Sequence, residues 1–466
     1  MNQPTGIEAE YAFAAKVLGD VRRATRMTSM LKVLSRNCCG EVSEAFTRPA
    51  EQQGAYDWLE HATVSAVAVQ EVASAATARQ CRGQEVVYCI LDGSSLALTD
   101  HAKKKGFGSV GTHEAGGRGL KLLNALALNS KGQTIGVLAQ DYWARPDKPV
   151  KRGYRPLKQR ESYRWHEALD AARAALDANA PGTRMHVLGD READASALMR
   201  HLLELPCEFT IRANGTRNVK VDGQYVPLMP LLKRQRCLAT LKVDIPRKGG
   251  RPTRTAELEV RALRTEMKLR DHHTKHSTMA STTVVWAFER RPPRGAERLD
   301  WLLYTTEGLS SAASVAAVTR YTRRWRIEEF HKMLKTGGGC VEDSQLRSTA
   351  AAIKWATLHS IVASRAQRLR DLARINSDAP ATIELTNEEI EILVLLKNQE
   401  KRRNETVAAD GLTIGRAVRW IGDLGGFAAT GASQKMPGPT VIGRGLERVL
   451  EAAAVVRALR DSGKIR

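Results

Sequence analysis

The sequence predicts an α/β chain: a central core of mixed strands and helices, a β-rich insertion within it, and helical segments at both ends. Three observations predict it. Val86 to Leu91 is a compact apolar run with β-branched residues, as in a buried strand. Between about 206 and 299, apolar and polar residues alternate with period two between Gly and Pro turns, which argues for strands. Residues up to about 75, and again from Asp378 onward, carry helical composition or apolar residues at three- and four-residue spacing. The expected division is a helical segment at 1–78, a core at 79–365 interrupted at about 206–299, and a helical segment at 366–466.

At 466 residues the chain has room for about three ordinary domains. Lys and Arg outnumber Asp and Glu by 72 to 51, a formal charge of +21, and the isoelectric point is near 9.9. That balance points to an anionic partner, most often nucleic acid. The seven cysteines include no C-x-x-C pair, which reads as a reduced, cytoplasmic protein, in a bacterium one with direct access to the nucleoid. No run approaches the ~18 apolar residues of a membrane span, so no membrane partner is expected.

Near the start, Leu18-Gly19-Asp20 precedes Arg22, Arg23 and Arg26. On a helix Arg22 and Arg26 share a face, as do Arg23 and Arg26. This is either a solvated helix face or a basic face for DNA. The strand at Val86–Leu91 is expected to end in Asp92, placing a carboxylate where a ligand can approach. Asp100, in the next loop, is the weaker candidate. The Lys- and Gly-rich stretch Lys103 to Gly119 suits a phosphate or plain solvent. Lys121–Leu128 and Thr134–Gln140, joined by a short turn, read as antiparallel strands. A helix is expected over Glu161–Ala178.

Met185–Leu188 reads as a strand closing in Asp190, followed by a helix over Ala193–Leu203. Glu192 and Asp194 fit a first-turn acidic cluster; Asp190 fits it less well because it closes the strand. The insertion is studded with bases, among them Arg212, Arg217, Lys220 and Arg254. His272, His273 and His276 lack the partners of a zinc site. A strand returns at Asp300–Tyr304 with Trp301 inside it.

Tyr321, Arg324, Glu328, Lys332 and Lys335 recur at helical spacing along one expected helix, Tyr321–Lys335. Ile327, Phe330 and Leu334 form a separate apolar stripe. A phenol, a guanidinium, a carboxylate and two ammoniums in line suit a phosphate backbone beside a divalent metal. A solvated salt bridge is the plainer reading of any single pair there. After Lys335, helices are expected at about Ala350–Leu372, Asn387–Lys401, Thr413–Asp423 and Leu446–Leu459. The last has an uncharged face of Leu446, Val449, Leu450, Ala453 and Val456, suited to packing within the chain or to a dimer contact.

Tyr321, Arg324, Glu328 and Lys335, with WRIEEFHK at Trp325–Lys332, resemble the Tyr-Arg-Glu-Lys signature of bacterial cut-and-paste DDE transposases. The likeness is to the Tn-five-type members of the insertion-sequence-four family. LGDVRR, GAYDWLE, DYWARPDKP and DREAD are similar to that family's text as well. The resemblance implies an RNase H-like core with Asp92, Asp190 and Glu328 as catalytic and metal-holding carboxylates. It implies two Mg²⁺ ions about 3.5–4 Å apart, with Mn²⁺ able to substitute. Tyr321, Arg324, Lys332 and Lys335 would anchor DNA phosphate, and Arg212 in the insertion would contact DNA. Trp301 would receive a flipped base, although it lies one residue nearer Tyr321 than the pattern has it. Arg22, Arg23 and Arg26 would grip the element's end. The implied partners are double-stranded DNA, both terminal repeats and target, and a second copy in a homodimer joined through C-terminal helices. The implied reaction is hydrolysis to a 3′ hydroxyl, hairpin formation and opening, then joining to target. Two other readings stay open: a defective copy that binds ends and inhibits, and a non-catalytic basic DNA-binding protein.

Overall fold

Helices come first, as the Ala- and Arg-rich text requires. They are α1 (Ile7–Glu10), α2 (Ala14–Leu18), α3 (Val21–Arg36), α4 (Val42–Ala45), α5 (Pro49–Glu60) and α6 (Ala66–Gln80). Gly19 ends α2 in the left-handed region at φ 69°, and Asp20 starts α3 by accepting the Arg22 N–H at 2.6 Å. The Leu-Gly-Asp motif is thus a helix stop joined to a helix start. The computed structural model describes residues 7–111, 116–146, 156–215, 217–221, 223–245, 253–270, 277–336, 339–400, 406–427 and 436–464.

The central sheet begins with β1 (Val86–Ala97), β2 (Gly108–Ser109), β3 (Arg118–Leu128) and β4 (Thr134–Trp143). It continues through α7 (Arg164–Asn179), β5 (Arg184–Gly189), α8 (Ser196–Glu204) and β6 (Glu208–Arg212). β1 runs antiparallel to β3 and parallel to β5, and β5 runs parallel to β6. The insertion adds β7 (Asn218–Val221), β8 (Gln224–Pro227), α9 (Leu228–Arg234), β9 (Ala239–Ile245), β10 (Arg254–Arg270) and β11 (Ser277–Glu289), after which comes β12 (Asp300–Thr305). The strand order is β2-β3-β1-β5-β6-β12-β11-β10-β7-β8, with β4 also on β3 and β9 also on β10. β11 pairs with β12 and β12 with β6, so the inserted strands continue the core sheet, and β6 sits beside parallel β5 in its middle.

β1 is apolar almost throughout because both of its faces are covered. Tyr88, Ile90 and Leu96 pack with Leu122, Leu126 and Leu188 against the N-terminal helices and the helices that follow the sheet. Val87, Cys89 and Leu91 pack with Leu123, Ala125 and Val187 on the other side, toward α7 and α8. After β12 come α10 (Ser311–Thr322), α11 (Trp325–Thr336), α12 (Thr349–Ile375), α13 (Asn387–Gln399), α14 (Ile414–Leu424) and α15 (Pro439–Asp461). α11 buries Ile327, Phe330 and Leu334, the stripe its spacing predicts. Each such fully buried side chain contributes about 1.5–3 kcal/mol. α12 is fixed to the sheet by Asp371, which accepts from the Thr134 hydroxyl at 2.6 Å and its amide at 3.0 Å.

The C-terminal helices have their own core. Leu446, Val449, Leu450 and Ala453 of α15 are buried with Ile421, Leu424 and Leu393. That face packs within the chain, which answers the choice left open for it and removes it as a dimer contact. α13 is capped as a reciprocal box, Thr386 accepting from the Glu389 amide and Glu389 from the Thr386 amide. Among the described residues no helix is long and apolar enough to cross a membrane.

Candidate functional site

β1 does not stop at Leu91. It continues to Ala97 because β3 is long enough to pair with it to the end, Ala97 opposite Gly119. Asp92 therefore lies within β1 rather than closing it. On the parallel side the ladder does end there: Leu91 pairs with Gly189, and Asp92 and Asp190 are the next residues of the two strands. Two neighbouring parallel strands thus deliver two carboxylates side by side. Gly189 is tightly confined, since a Cβ there would meet Ala193 and Ile211 at under 3 Å.

The third carboxylate arrives from α11. The expected single helix over Tyr321–Lys335 is broken: α10 ends at Thr322 and α11 starts at Trp325. Short three-residue turns bridge the gap, with the Arg323, Arg324 and Arg326 amides donating to the carbonyls three residues back. No Gly or Pro marks this break. The arginines take distant partners instead. Arg320 pairs with Glu307 and donates to the Tyr88 hydroxyl at 3.3 Å, and the Arg323 guanidinium sits 4.6 Å from the centre of the Tyr88 ring. Tyr321 consequently belongs to α10, not to the stripe of Glu328, Lys332 and Lys335.

Arg324 occupies the centre. Its Nη2 lies 2.5 Å from Glu328 Oε1 and its Nη1 lies 3.6 Å from Asp92 Oδ2. Burial pushes the Asp92 carboxyl up to about 7; Arg324 opposes the rise, while Asp190 and Glu328 add to it. Asp92 therefore feels both other acids. Lys335 donates to the Ser94 hydroxyl at 2.6 Å, and burial lowers its pKa. Lys332 is exposed on the same helix. Tyr321 is buried, with half-buried Arg212 and Arg324 both close enough to interact with its hydroxyl.

Neighbouring acids are separated by their partners. Glu329, next to Glu328, is bound by Arg326 at 2.8 Å, Arg370 at 2.8 Å and Arg374 at 3.0 Å. Burial alone would raise its pKa, but these arginines pull it down to about 2. Asp194 is buried on Arg217 at 2.7 Å and accepts the Asn214 amide at 2.7 Å. It is a strut between α8 and the insertion, not the first-turn helix acid expected from sequence; α8 begins only at Ser196. Asp190 caps the short turn after β5 by accepting the Glu192 amide at 2.8 Å. Asp100 is buried against Arg118 at 3.4 Å and accepts two loop amides, so it too is structural.

Trp301 is 4% exposed, its ring 5.4 Å from that of Tyr321 in an edge-on contact. It packs here as a core residue. Tyr321, 2% exposed, is buried with it. Of the three N-terminal arginines, Arg22 and Arg26 are exposed, whereas Arg23 donates to the Leu18 and Thr63 carbonyls and ties α3 to the chain after α5. His272, His273 and His276 lie outside the described residues.

Sequence reasoning missed two residues. Lys121 of β3 donates to the Ser95 hydroxyl at 2.9 Å and lies within electrostatic reach of Lys335 and Arg145. Asn124 of β3 stands directly opposite Asp92. Neither carries a local signal, since both sit in an apolar strand about thirty residues downstream of the residue they meet.

Among the described residues no three His, Cys, Asp or Glu side chains are closed into a ready-made metal cage. The donor set is nonetheless of the kind a hard divalent cation takes: carboxylate oxygens only, Asp92 and Glu328 bridged by the Arg324 guanidinium, with Asp190 within electrostatic reach of Asp92.

Residues 161–364 match the family model described as Transposase DDE domain. The matched span contains Asp190 and Glu328 and begins downstream of Asp92. Together with a large mixed sheet flanked by helices, the match supports a DDE-type transposase built on an RNase H-like core.

Proposed function

We propose that the chain is a cut-and-paste DNA transposase of the insertion-sequence-four, Tn-five-like kind, with Asp92, Asp190 and Glu328 as its catalytic carboxylates. The observation that carries this is the convergence on Arg324 of acids 236 positions apart in sequence: Asp92 at 3.6 Å and Glu328 at 2.5 Å, with Asp190 within electrostatic reach of Asp92. Like charges set around one poorly exposed carboxylate, Asp92, are costly for a merely structural protein, and they suit a site built to hold cations against phosphate.

Asp92, Asp190 and Glu328 would hold two Mg²⁺ ions, or Mn²⁺ in their place. When bound, such ions supply an activated water and charge stabilisation on a departing 3′ oxygen. The chain's own groups do the rest. Lys335, held by Ser94, and exposed Lys332 meet phosphate of the uncut strand. Arg324 releases its carboxylates and turns to the same phosphate. Tyr321, buried beside Arg324 and Arg212, would steady the Arg324 guanidinium as it meets the phosphate. Arg22 and Arg26, with the insertion's bases, bind the flanking duplex. Hairpin formation and its reopening, target joining, and a homodimeric synaptic complex belong to this reading. The dimer contact would lie elsewhere than the buried Leu446 face.

The test uses a supercoiled plasmid carrying the inverted repeats that flank the gene, incubated with the protein and Mg²⁺. Cutting at the repeat ends by the wild type and none by Glu328→Ala supports the reading. Equal cutting by both, or binding without cutting by the wild type, contradicts it.

A further inference from the structure

Asn124 is fully buried, and neither its Oδ1 nor its Nδ2 has a hydrogen-bond partner. A carboxamide sealed from water in that state costs about 1–3 kcal/mol. A Leu of similar size would fit the strand better, flanked as the position is by Leu122, Leu123 and Leu126. The location of this costly group is informative. Asn124 and Asp92 are directly paired residues of antiparallel β3 and β1. Paired residues project to the same face with Cβ atoms about 4.5–5.5 Å apart. The amide therefore stands beside one of the carboxylates that the proposed reaction uses.

Asp92 has two partners on its carboxylate. Its Oδ1 accepts the Gly93 amide at 3.0 Å, and its Oδ2 faces Arg324. If a cation takes the place of Arg324, the carboxylate needs a neutral donor that fixes its rotamer without competing for charge. Nδ2 of Asn124 is such a donor, from a rigid central strand, and it adds no net charge to a site already rich in it.

We propose that Asn124 is the positioning residue of Asp92: its carboxamide donates to the Asp92 carboxylate when a divalent cation is bound, and sets the carboxylate's angle to that cation. This rests on the metal-holding role proposed above. Partners behind a metal ligand typically govern affinity by about 10–100-fold. The buried amide, with no hydrogen-bond partner of its own, is thus available to that carboxylate.

The test pairs two readouts on the full chain, Mn²⁺ affinity by titration calorimetry and thermal unfolding without metal. Asn124→Leu is expected to unfold at the same or a higher temperature, because an unsatisfied amide is removed, and to bind Mn²⁺ about tenfold or more weakly. Asn124→Ala serves as a second variant with no overpacking, and the same loss of affinity is expected from it. Wild-type Mn²⁺ affinity in both variants overturns the proposal, as does a lower unfolding temperature with unchanged affinity, which marks a purely structural amide. Glu328→Gln separates this from the underlying reading. If it abolishes Mn²⁺ binding while the Asn124 variants bind normally, only the Asn124 role fails. If the wild type binds no Mn²⁺, both fail.

Discussion

The Arg324 guanidinium lies 3.6 Å from the carboxylate of Asp92, a residue 232 positions earlier in the chain, and holds Glu328 with its other nitrogen. The side chains of Arg324 and Asp92 are only 11% and 17% exposed. The pair is therefore poorly screened, and its breakage leaves buried charge uncompensated. Replacing Arg324 by Met is expected to lower the metal-free protein's unfolding temperature at pH 8. Added Mg²⁺ should then raise it by more than it raises the wild type, because the cation restores what the guanidinium supplied. Differential scanning with and without Mg²⁺ checks this; an equal Mg²⁺ shift in both proteins contradicts it. DNA cleavage by the variant should fall by about 10²–10³-fold, the usual cost of one lost charge-stabilising donor.

The Asp92 carboxyl gives a pH dependence with a definite sign. In the unfolded chain it loses its proton near 4; in the folded, metal-free chain, burial holds the proton until about 7. Between those values the folded state binds more protons, so this group's contribution to stability falls as pH rises and levels off above 7. Cation binding must displace that proton. Mn²⁺ affinity should accordingly climb from pH 5.5 to 7.5 and then flatten, and Arg324→Met should shift the climb to higher pH by removing the charge that lowers the Asp92 carboxyl. Calorimetric titrations across pH measure both.

Trp301 should matter for stability rather than for base capture. Buried edge-on against Tyr321, it is expected to cost about 3–5 kcal/mol on truncation to Ala, read from denaturant midpoints. Trp301→Phe should retain most activity on plasmid substrates. A variant that folds with wild-type stability and fails only at hairpin formation would contradict this assignment.

Much of this architecture was legible in the residues, and what was not has a common cause. Local periodicity placed β3, β4, β5, α12 and the buried face of α11, because each pattern is written within one element. Partners from elsewhere decided the rest. The break between α10 and α11 follows from Arg320, Arg323 and Arg324 reaching Glu307, Tyr88 and Asp92. β1 overruns Asp92 because β3 is long. Asp194 reads as a helix-start acid until Arg217 is seen closing on it. Asn124 gives no signal because an amide in an apolar strand looks like a lapse in the pattern until Asp92 is placed opposite.

The N-terminal arginines should separate by role. Arg22 is almost fully exposed beside Asp20, and Arg22→Ala should leave stability within about 0.5 kcal/mol. If it meets DNA phosphate, the salt dependence of repeat-end binding should lose about one unit of slope. Arg23→Ala should instead lower the unfolding temperature, since it frees the Leu18 and Thr63 carbonyls. Anisotropy titrations over a salt series, beside thermal melts, distinguish the two; an unchanged slope for Arg22→Ala removes that residue from the DNA surface.

The central claim is that Asp92, Asp190 and Glu328 hold cations together, and cleavage of the protein by its own bound metal tests it most directly. Fe²⁺ can replace Mg²⁺ at carboxylate sites, and with ascorbate and peroxide it cuts the polypeptide backbone nearby. Mass spectrometry should find cuts clustered around residues 92, 190 and 328, suppressed by excess Mg²⁺ and absent from Glu328→Gln. Cuts confined to one of these segments, or scattered without regard to Mg²⁺, would contradict the account.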